Sequence, residues 1–471
     1  MTSSTILPQI KHVVVVMLEN RSFDNLCGWL YSDSQPNLFV PKTATPHYDG
    51  LDETFWNPSH SDYFSGANPD KVFVQQGTDN YTTPNPDPEE TFDNVTEQLY
   101  GSGGIAMGNQ FANQGFLVNY EKTTAGNPDQ IMQTYSPEQL PVLSALARHY
   151  AISDAWFCSV PSQTWSNRSF VHAGTSNGNV NNGDIPDPLK WDVETIFNVL
   201  ENMNVDWKVY NDTMMIPSLT RTMFPKLWHL SLESHFEGFS AFKEACVAGS
   251  LPPYSFVEPS FVIEPNDQHP PHDVLAGEKF LHEIYQAVST SPAWNETLLV
   301  ITYDEHGGCY DHVLPPTGAA IPDEASNPGA EGFTFDRFGV RVPTILVSPY
   351  IQAGTVFRST SSVPYDHTSI LATLRDWLAI PENLMLPSKR IAAAPTFESV
   401  LTLQVPRTDF PVISLSSLSI TPTSMDSPIN GLQKSLIASV AQKHGLNPIK
   451  NLTQISTRQH AVDFFNKVNS R

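Results

Sequence analysis

The segment HVVVVMLENRSFD, residues 12–24, sets four consecutive valines in a six-residue apolar run from Val13 to Leu18. A strand with one solvated face alternates apolar and polar side chains, and this run does not alternate. Both of its faces must therefore be covered, as in the central strand of a parallel sheet flanked by helices. The run ends abruptly in three polar residues, Glu19, Asn20 and Arg21.

Downstream segments extend the same architecture. WDVETIFNVLENMN (191–204) reads as an amphipathic helix with Asp192 as its cap, and VDWKVY follows as a strand. GEKFLHEIYQAVSTS is a further helix. ETLLVITYDEHGG supplies a buried strand over Leu298–Tyr303, and RVPTILVSPY supplies another. DHTSILATLRDWLA (366–379) is again helical. Such alternation predicts an α/β chain, a three-layer α/β/α sandwich around a mostly parallel sheet. Residues 31–130 lack periodicity and read as a loop-rich insertion or lid. The expected organisation is a catalytic domain over 1–400, including that insertion, and a small helical C-terminal cap over 401–471 packed on it.

In open α/β sheets ligands bind beyond the carboxyl ends of the strands. Glu19 and Asn20 stand at one such end, and Asp304 and Glu305, followed by two glycines, stand at another. Three carboxylates and an amide oxygen at one point would repel in a low dielectric, and a divalent cation with hard oxygen ligands relieves this. Oxygen-rich ligands suit Mg, Mn or Ca, with Zn and Fe also open. Histidines accumulate nearby in turns: His269 and His272 in NDQHPPHD, His306 and His312 with Asp311 in DEHGGCYDHVLPP, and Asp366 with His367 in VPYDHTSI. SVPSQTWSNRSFVHAGTS (159–176) offers four hydroxyls, Ser162, Thr164, Ser166 and Ser169, and Arg168, which suits a phosphate. No GxSxG elbow is present, and spacing does not choose among the four.

The formal charge of -23 argues against nucleic-acid binding and against electrostatic docking on anionic lipid, while leaving transient membrane or micelle contact through a neutral surface open. Four cysteines, Cys27, Cys158, Cys246 and Cys309, fit no zinc spacing and allow either two bridges or four reduced thiols. The N-terminus MTSSTILPQIK has no basic start followed by an apolar stretch, and no apolar run reaches membrane-spanning length. The expectation is a soluble, intracellular protein without a transmembrane segment.

The blocks ENRSFD, TWSNR, NDQHPPHDV, YDEHGGCYDHVLPP, GVRVPTILVSP and DHTSI resemble, in order and over about residues 10–380, the phosphoesterase family of nonspecific phospholipases C and a bacterial acid phosphatase. The resemblance implies an alkaline-phosphatase-like fold, one or more divalent metal ions and a phosphoester substrate. It implies Glu19, Asn20, Asp304, Glu305 and Thr164 as metal ligands, with Thr164 also the nucleophile and His269 the leaving-group acid or a hydrogen-bond donor to the phosphate. Arg168, His367, Asp311 and His312 would support substrate binding. The family's nucleophile block more often has Pro where Ser166 stands. The expected activity is phospholipase C cleavage through a phosphothreonine; the alternatives are an acid phosphatase on soluble phosphomonoesters and a noncatalytic binding protein on the same fold.

Overall fold

The computed structural model describes the whole chain except residues 1–5, 184–186, 212–215, 414, 416–418 and 470–471. The start of MTSSTILPQIK and parts of the 401–471 segment thus lie outside the described residues.

Among the described residues nine strands form the main sheet: β1 (His12–Leu18), β2 (Leu38–Val40), β3 (Ala151–Ser153), β4 (Trp207–Asn211), β5 (Phe236–Gly238), β6 (Tyr254–Glu258), β7 (Thr297–Tyr303), β8 (Thr344–Val347) and β9 (Thr355–Phe357). Their order across the sheet is β5-β4-β6-β1-β7-β8-β3-β9-β2. All neighbours pair parallel except β8, which is antiparallel to both β7 and β3. The valine run forms β1, near the middle, and Val13 through Leu18 are all buried, which requires cover on both faces. The fold is α/β, as the run demands.

The helices that matter here are α1 (Phe92–Tyr100), α2 (Pro141–His149), α3 (Thr164–Ala173), α4 (Ile196–Asn202), α5 (Val274–Ser289), α6 (Thr368–Trp377), α7 (Gly431–Lys443) and α8 (Arg458–Asn469). α2 packs with α5, and α3 packs with α6. The expected cap at Asp192 is not formed. Trp191 is drawn into the core against Trp165, so the chain makes a short 3-10 turn there. The helix starts only at Ile196, where the Asn198 side chain accepts from the Thr195 N–H at 2.9 Å.

The antiparallel setting of β8 has a physical origin. The 304–343 excursion stays over the end of the sheet where β7 stops, so the chain re-enters the sheet from that end. Arg341, just before β8, is thereby left at the same edge as Glu19 and Asp304.

The 31–130 segment is more ordered than its composition suggests. It contains α1 and a second apolar cluster built on Val95, Leu99, Phe116, Leu117 and Tyr120. Leu436, Ile437 and Val440 of α7 and Phe465 of α8 join the same apolar cluster as the sheet. All four cysteines are reduced and buried. No helix among the described residues is long and apolar enough to cross a membrane.

Candidate active site

β1 and β7 are adjacent and in register, Leu18 opposite Tyr303, so the residues that follow them emerge side by side. The Asn20 N–H donates to Asp304 Oδ1 at 3.0 Å, and the Glu305 N–H donates to the same oxygen at 2.8 Å. Asn20 takes a left-handed backbone, φ 51°, a conformation asparagine tolerates better than most residues. The glycines of DEHGG explain themselves here. Gly307 has φ 60°, and a Cβ on it would sit 2.3 Å from the Asn20 carbonyl oxygen. Only glycine lets the two strand-end loops close on each other.

α3 delivers the hydroxyl. Thr164, its first residue, places Oγ1 3.4 Å from Glu19 Oε2 and 3.5 Å from Asn20 Oδ1. The other three candidates are committed elsewhere: Ser162 donates to Asn181 Oδ1 (2.8 Å), Ser166 to the Asn179 carbonyl (3.0 Å) and Ser169 to the Thr175 carbonyl (2.7 Å). One helical turn beyond Thr164, Arg168 donates through Nε to Glu19 Oε1 at 2.8 Å and through Nη2 to the Met17 carbonyl at 3.2 Å. Its Nη1 is buried without a hydrogen-bond partner.

Two histidines complete the group. His269 donates from Nδ1 to the Pro270 carbonyl (2.7 Å), and its Nε2 lies 3.1 Å from Asn20 Nδ2. Burial pulls its ring down to about 4, so it is neutral near pH 7. His367, at the head of α6, donates from Nε2 to the Asp304 carbonyl at 2.6 Å, while its Nδ1 has no partner.

The structure thus brings together Glu19, Asn20, Thr164, Arg168, His269, Asp304, Glu305 and His367. It does not bring Asp311 and His312 into this group, and the substrate-binding role expected of them finds no geometric support. Asp311 is fully buried and takes Arg341 Nε at 3.0 Å, the Asp24 N–H at 3.2 Å and the Val313 N–H at 2.9 Å. His312 bonds Asp24 Oδ2 through Nδ1 at 2.6 Å and lies against the Phe55 ring. The Asp24–Arg341–Asp311–His312 cluster ties the two strand-end loops together from behind. Both Asp24 and Arg341 stand in the ENRSFD and GVRVP blocks, but nothing local in those blocks reveals that they meet. Nearby aromatic residues are mostly core: Trp156 and Trp165 are fully buried, Tyr63 and Phe64 cluster with Phe111, and Phe73 is exposed on a hairpin. Sequence reasoning also missed Asp87, whose Oδ1 is 3.6 Å from His269 Nδ1, and Glu90, which accepts from Gln163 Nε2 at 3.2 Å.

The electrostatics test whether this edge suits a cation. Burial, and then the neighbouring Asp304 and Asp267, push Glu19 well above the ordinary carboxylate range against the pull of Arg168. Burial, Asp304 and Glu90 push Glu305 up as well. Asp304 Oδ2 and Glu305 Oε1 are buried without hydrogen-bond partners. Buried acids with unpartnered oxygens, joined by an amide and a hydroxyl, fit a hard divalent cation. Among the described residues the one His/Cys/Asp/Glu trio closing to within 4.8 Å is Asp24, Asp311 and His312, and Arg341 already neutralises it.

An α/β sheet that presents carboxylates, a threonine hydroxyl turned toward them and an unpartnered guanidinium N–H at adjoining strand ends has the equipment of a phosphoric ester hydrolase. The chain belongs to the phosphoesterase family, whose model matches residues 10–381. It is similar to non-specific phospholipase C6 of Arabidopsis thaliana, 36% identical over 414 residues, covering 86% of this chain and 74% of the relative. Non-specific phospholipase C1 of the same plant is 35% identical over 479 residues, covering 97% and 85%. Phospholipase C A of Mycobacterium tuberculosis (strain ATCC 25618 / H37Rv) is 27% identical over 418 residues, covering 80% and 74%. Among solved structures, a protein of the alkaline phosphatase superfamily from Vibrio parahaemolyticus aligns over 55% of this chain and 64% of its own at 10% identity and a TM-score of 0.33, a distant likeness. The protein is a phosphoric ester hydrolase, which sets aside the noncatalytic alternative.

Proposed function

We propose that this protein is a phospholipase C that cleaves a glycerophospholipid on the glycerol side of its phosphodiester, releasing diacylglycerol and a phosphorylated head group. The observation that carries the reading is the position of Thr164 Oγ1, the one candidate hydroxyl left facing Glu19 and Asn20. The names of the similar plant and mycobacterial proteins support the substrate class.

Glu19, Asn20, Asp304, Glu305 and Thr164 Oγ1 would hold the divalent cation. Such a cation supplies positive charge for the phosphoryl oxygens and lowers the pKa of the hydroxyl. Arg168 Nη1 and His367 orient the phosphoryl group. Thr164 Oγ1 attacks phosphorus in line; the bond to the glycerol oxygen breaks, and a phosphothreonine carrying the head group remains. His269 takes up the proton that the Thr164 hydroxyl loses on attack and passes it to the departing glycerol oxygen, so the step needs no proton from outside. Its ring is neutral without substrate, and the arriving negative phosphoryl group raises its proton affinity. Water then attacks phosphorus, restores the threonine hydroxyl and frees the phosphorylated head group. The catalysis is positioning and charge stabilisation.

The second reading is an acid phosphatase acting on soluble phosphomonoesters. The net charge of -23 favours a small soluble substrate over an anionic membrane. A zwitterionic head group such as phosphocholine meets no such repulsion. The test supplies phosphatidylcholine in mixed micelles and, separately, a soluble aryl phosphomonoester, each with and without chelator. Diacylglycerol and phosphocholine are the expected products. Phosphate released from the monoester alone moves the protein to the phosphatase reading.

A further inference from the structure

The loop between β6 and α5 (residues 259–273) carries His269, and it is gripped from two sides. Its far half is held by the β1 end: the Glu19 N–H donates to the Asp267 carbonyl at 2.9 Å, and Arg21 Nε donates to the Gln268 carbonyl at 2.7 Å. Its near half is held by the C-terminal segment, nearly two hundred residues away in sequence.

Arg458 on α8 is 1% exposed. It donates to the Val262 carbonyl from Nε at 3.0 Å and from Nη2 at 2.7 Å. Its Nη1 bonds the Thr423 and Ser424 carbonyls, which ties the strap before α7 into the same knot. Gln433 on α7 donates from Nε2 to the Phe261 carbonyl at 2.7 Å. The Thr421 N–H donates to Asp273 Oδ2, and the other oxygen of Asp273 caps α5 at the Leu275 N–H. Arg458 Nε and Nη2, Gln433 Nε2 and the Thr421 N–H each end on the backbone or the cap of the site loop.

The hold passes inward through one side chain. Phe261 is buried, and the Arg168 guanidinium carbon lies 5.5 Å from the centre of its ring. Arg168 is therefore held by Glu19 and Met17 at its edge, with the Phe261 ring packed beside it and Nη1 left over. A guanidinium needs both restraints to aim a donor, because the edge bonds alone leave the plane free to tilt.

We infer that Arg458 and Gln433 are positioning residues for the phosphoryl-binding arginine: through the 261–262 backbone they set the Phe261 ring, which sets the plane of Arg168. This rests on the reading of Arg168 given above. A purely structural cap would stabilise the fold and leave turnover by the folded fraction unchanged. A relay of this kind lowers kcat while the protein stays folded.

The test is a double-mutant cycle on the full chain with Phe261→Leu and Arg458→Met, assayed on phosphatidylcholine micelles and on a soluble aryl phosphomonoester. Arg458→Lys and Phe261→Tyr serve as conservative rescues, and thermal melts confirm folding at the assay temperature. Each disruptive variant is expected to lose about tenfold in kcat with KM little changed, and the double variant to lose no more than the worse single one, since contacts in one chain of interactions are not additive. The conservative variants are expected to recover most of kcat. Wild-type kcat in folded Phe261→Leu, or losses that simply multiply in the double variant, would overturn the relay. Thr164→Ala is measured alongside: turnover surviving in it removes the catalytic assignment itself, whereas its loss together with unchanged kcat in Phe261→Leu removes only the relay. Gln433→Met provides a second entry to the same path if Arg458→Met proves unfolded, with the same expected loss and the same overturning result.

Discussion

The backbone N–H of Asn20 donates to Oδ1 of Asp304 at 3.0 Å, so the residue after one strand is bonded to the side chain that ends its neighbour. Asn20 lies two residues beyond the end of β1 and Asp304 one residue beyond the end of β7, separated by 284 positions in the chain. Their bond fixes the spacing between the first pair of proposed ligands and the second.

Thr164 is the proposed nucleophile, and its loss should be far more costly to rate than to fold. Thr164→Ala is expected to reduce kcat by about a thousandfold or more, while Thr164→Ser retains substantial activity. Steady-state kinetics with circular dichroism on both variants checks this. Near-normal kcat in Thr164→Ala would falsify the assignment.

Glu305, as a proposed ligand, should destabilise the protein without a cation and stabilise it with one. Glu305→Gln removes one of the crowded buried charges, so the chelated protein should gain about 1–3 kcal/mol of stability. The same change should shrink the rise in Tm that follows addition of Mn2+. Thermal melts with chelator and with Mn2+ read both effects, and an unaltered Mn2+ increment argues against Glu305 as a ligand.

His312 gives the fold a pH dependence. Burial alone would lower its pKa from 6.5, but Asp24 and Asp49 outweigh burial and raise it to about 10. A raised histidine contributes its full stability below pH 6.5 and loses it as pH rises through about 10. The loss between those limits should be about 2–4 kcal/mol. His312→Gln should flatten that part of the stability profile in denaturant titrations at pH 7 and pH 10; a slope identical to wild type would remove His312 as its source.

Gly307 is a steric requirement of the site. A methyl group there meets the Asn20 carbonyl at 2.3 Å in a left-handed backbone. Gly307→Ala should cost about 2 kcal/mol or more and displace Asn20 from Asp304. Chemical denaturation and kcat should fall together, whereas Gly318→Ala, at a positive-φ position with open space around it, should lose stability only.

Much of the architecture is local information. The unbroken valine run demanded a strand covered on both faces, and the polar residues directly after β1 and β7 marked the functional edge, because periodicity and strand ends are properties of neighbouring residues. DEHGG likewise announced a tight turn. Three things required the tertiary structure. Spacing left Thr164 level with Ser162, Ser166 and Ser169 and only the resemblance singled it out; the geometric support for it lies in the partners that the other three hydroxyls find in residues 175–181, a competition invisible in a stretch of similar polar side chains. The separation of Asp311 and His312 from the site follows from Arg341, which reaches them only because β8 enters the sheet against the direction of its neighbours. The grip of Arg458 on the loop that carries His269 joins segments 196 residues apart, through backbone carbonyls that carry no side-chain signature. Sequence fixes what each segment can bury; which segments share an edge is settled by packing the whole sheet at once, and the site is a product of that sharing.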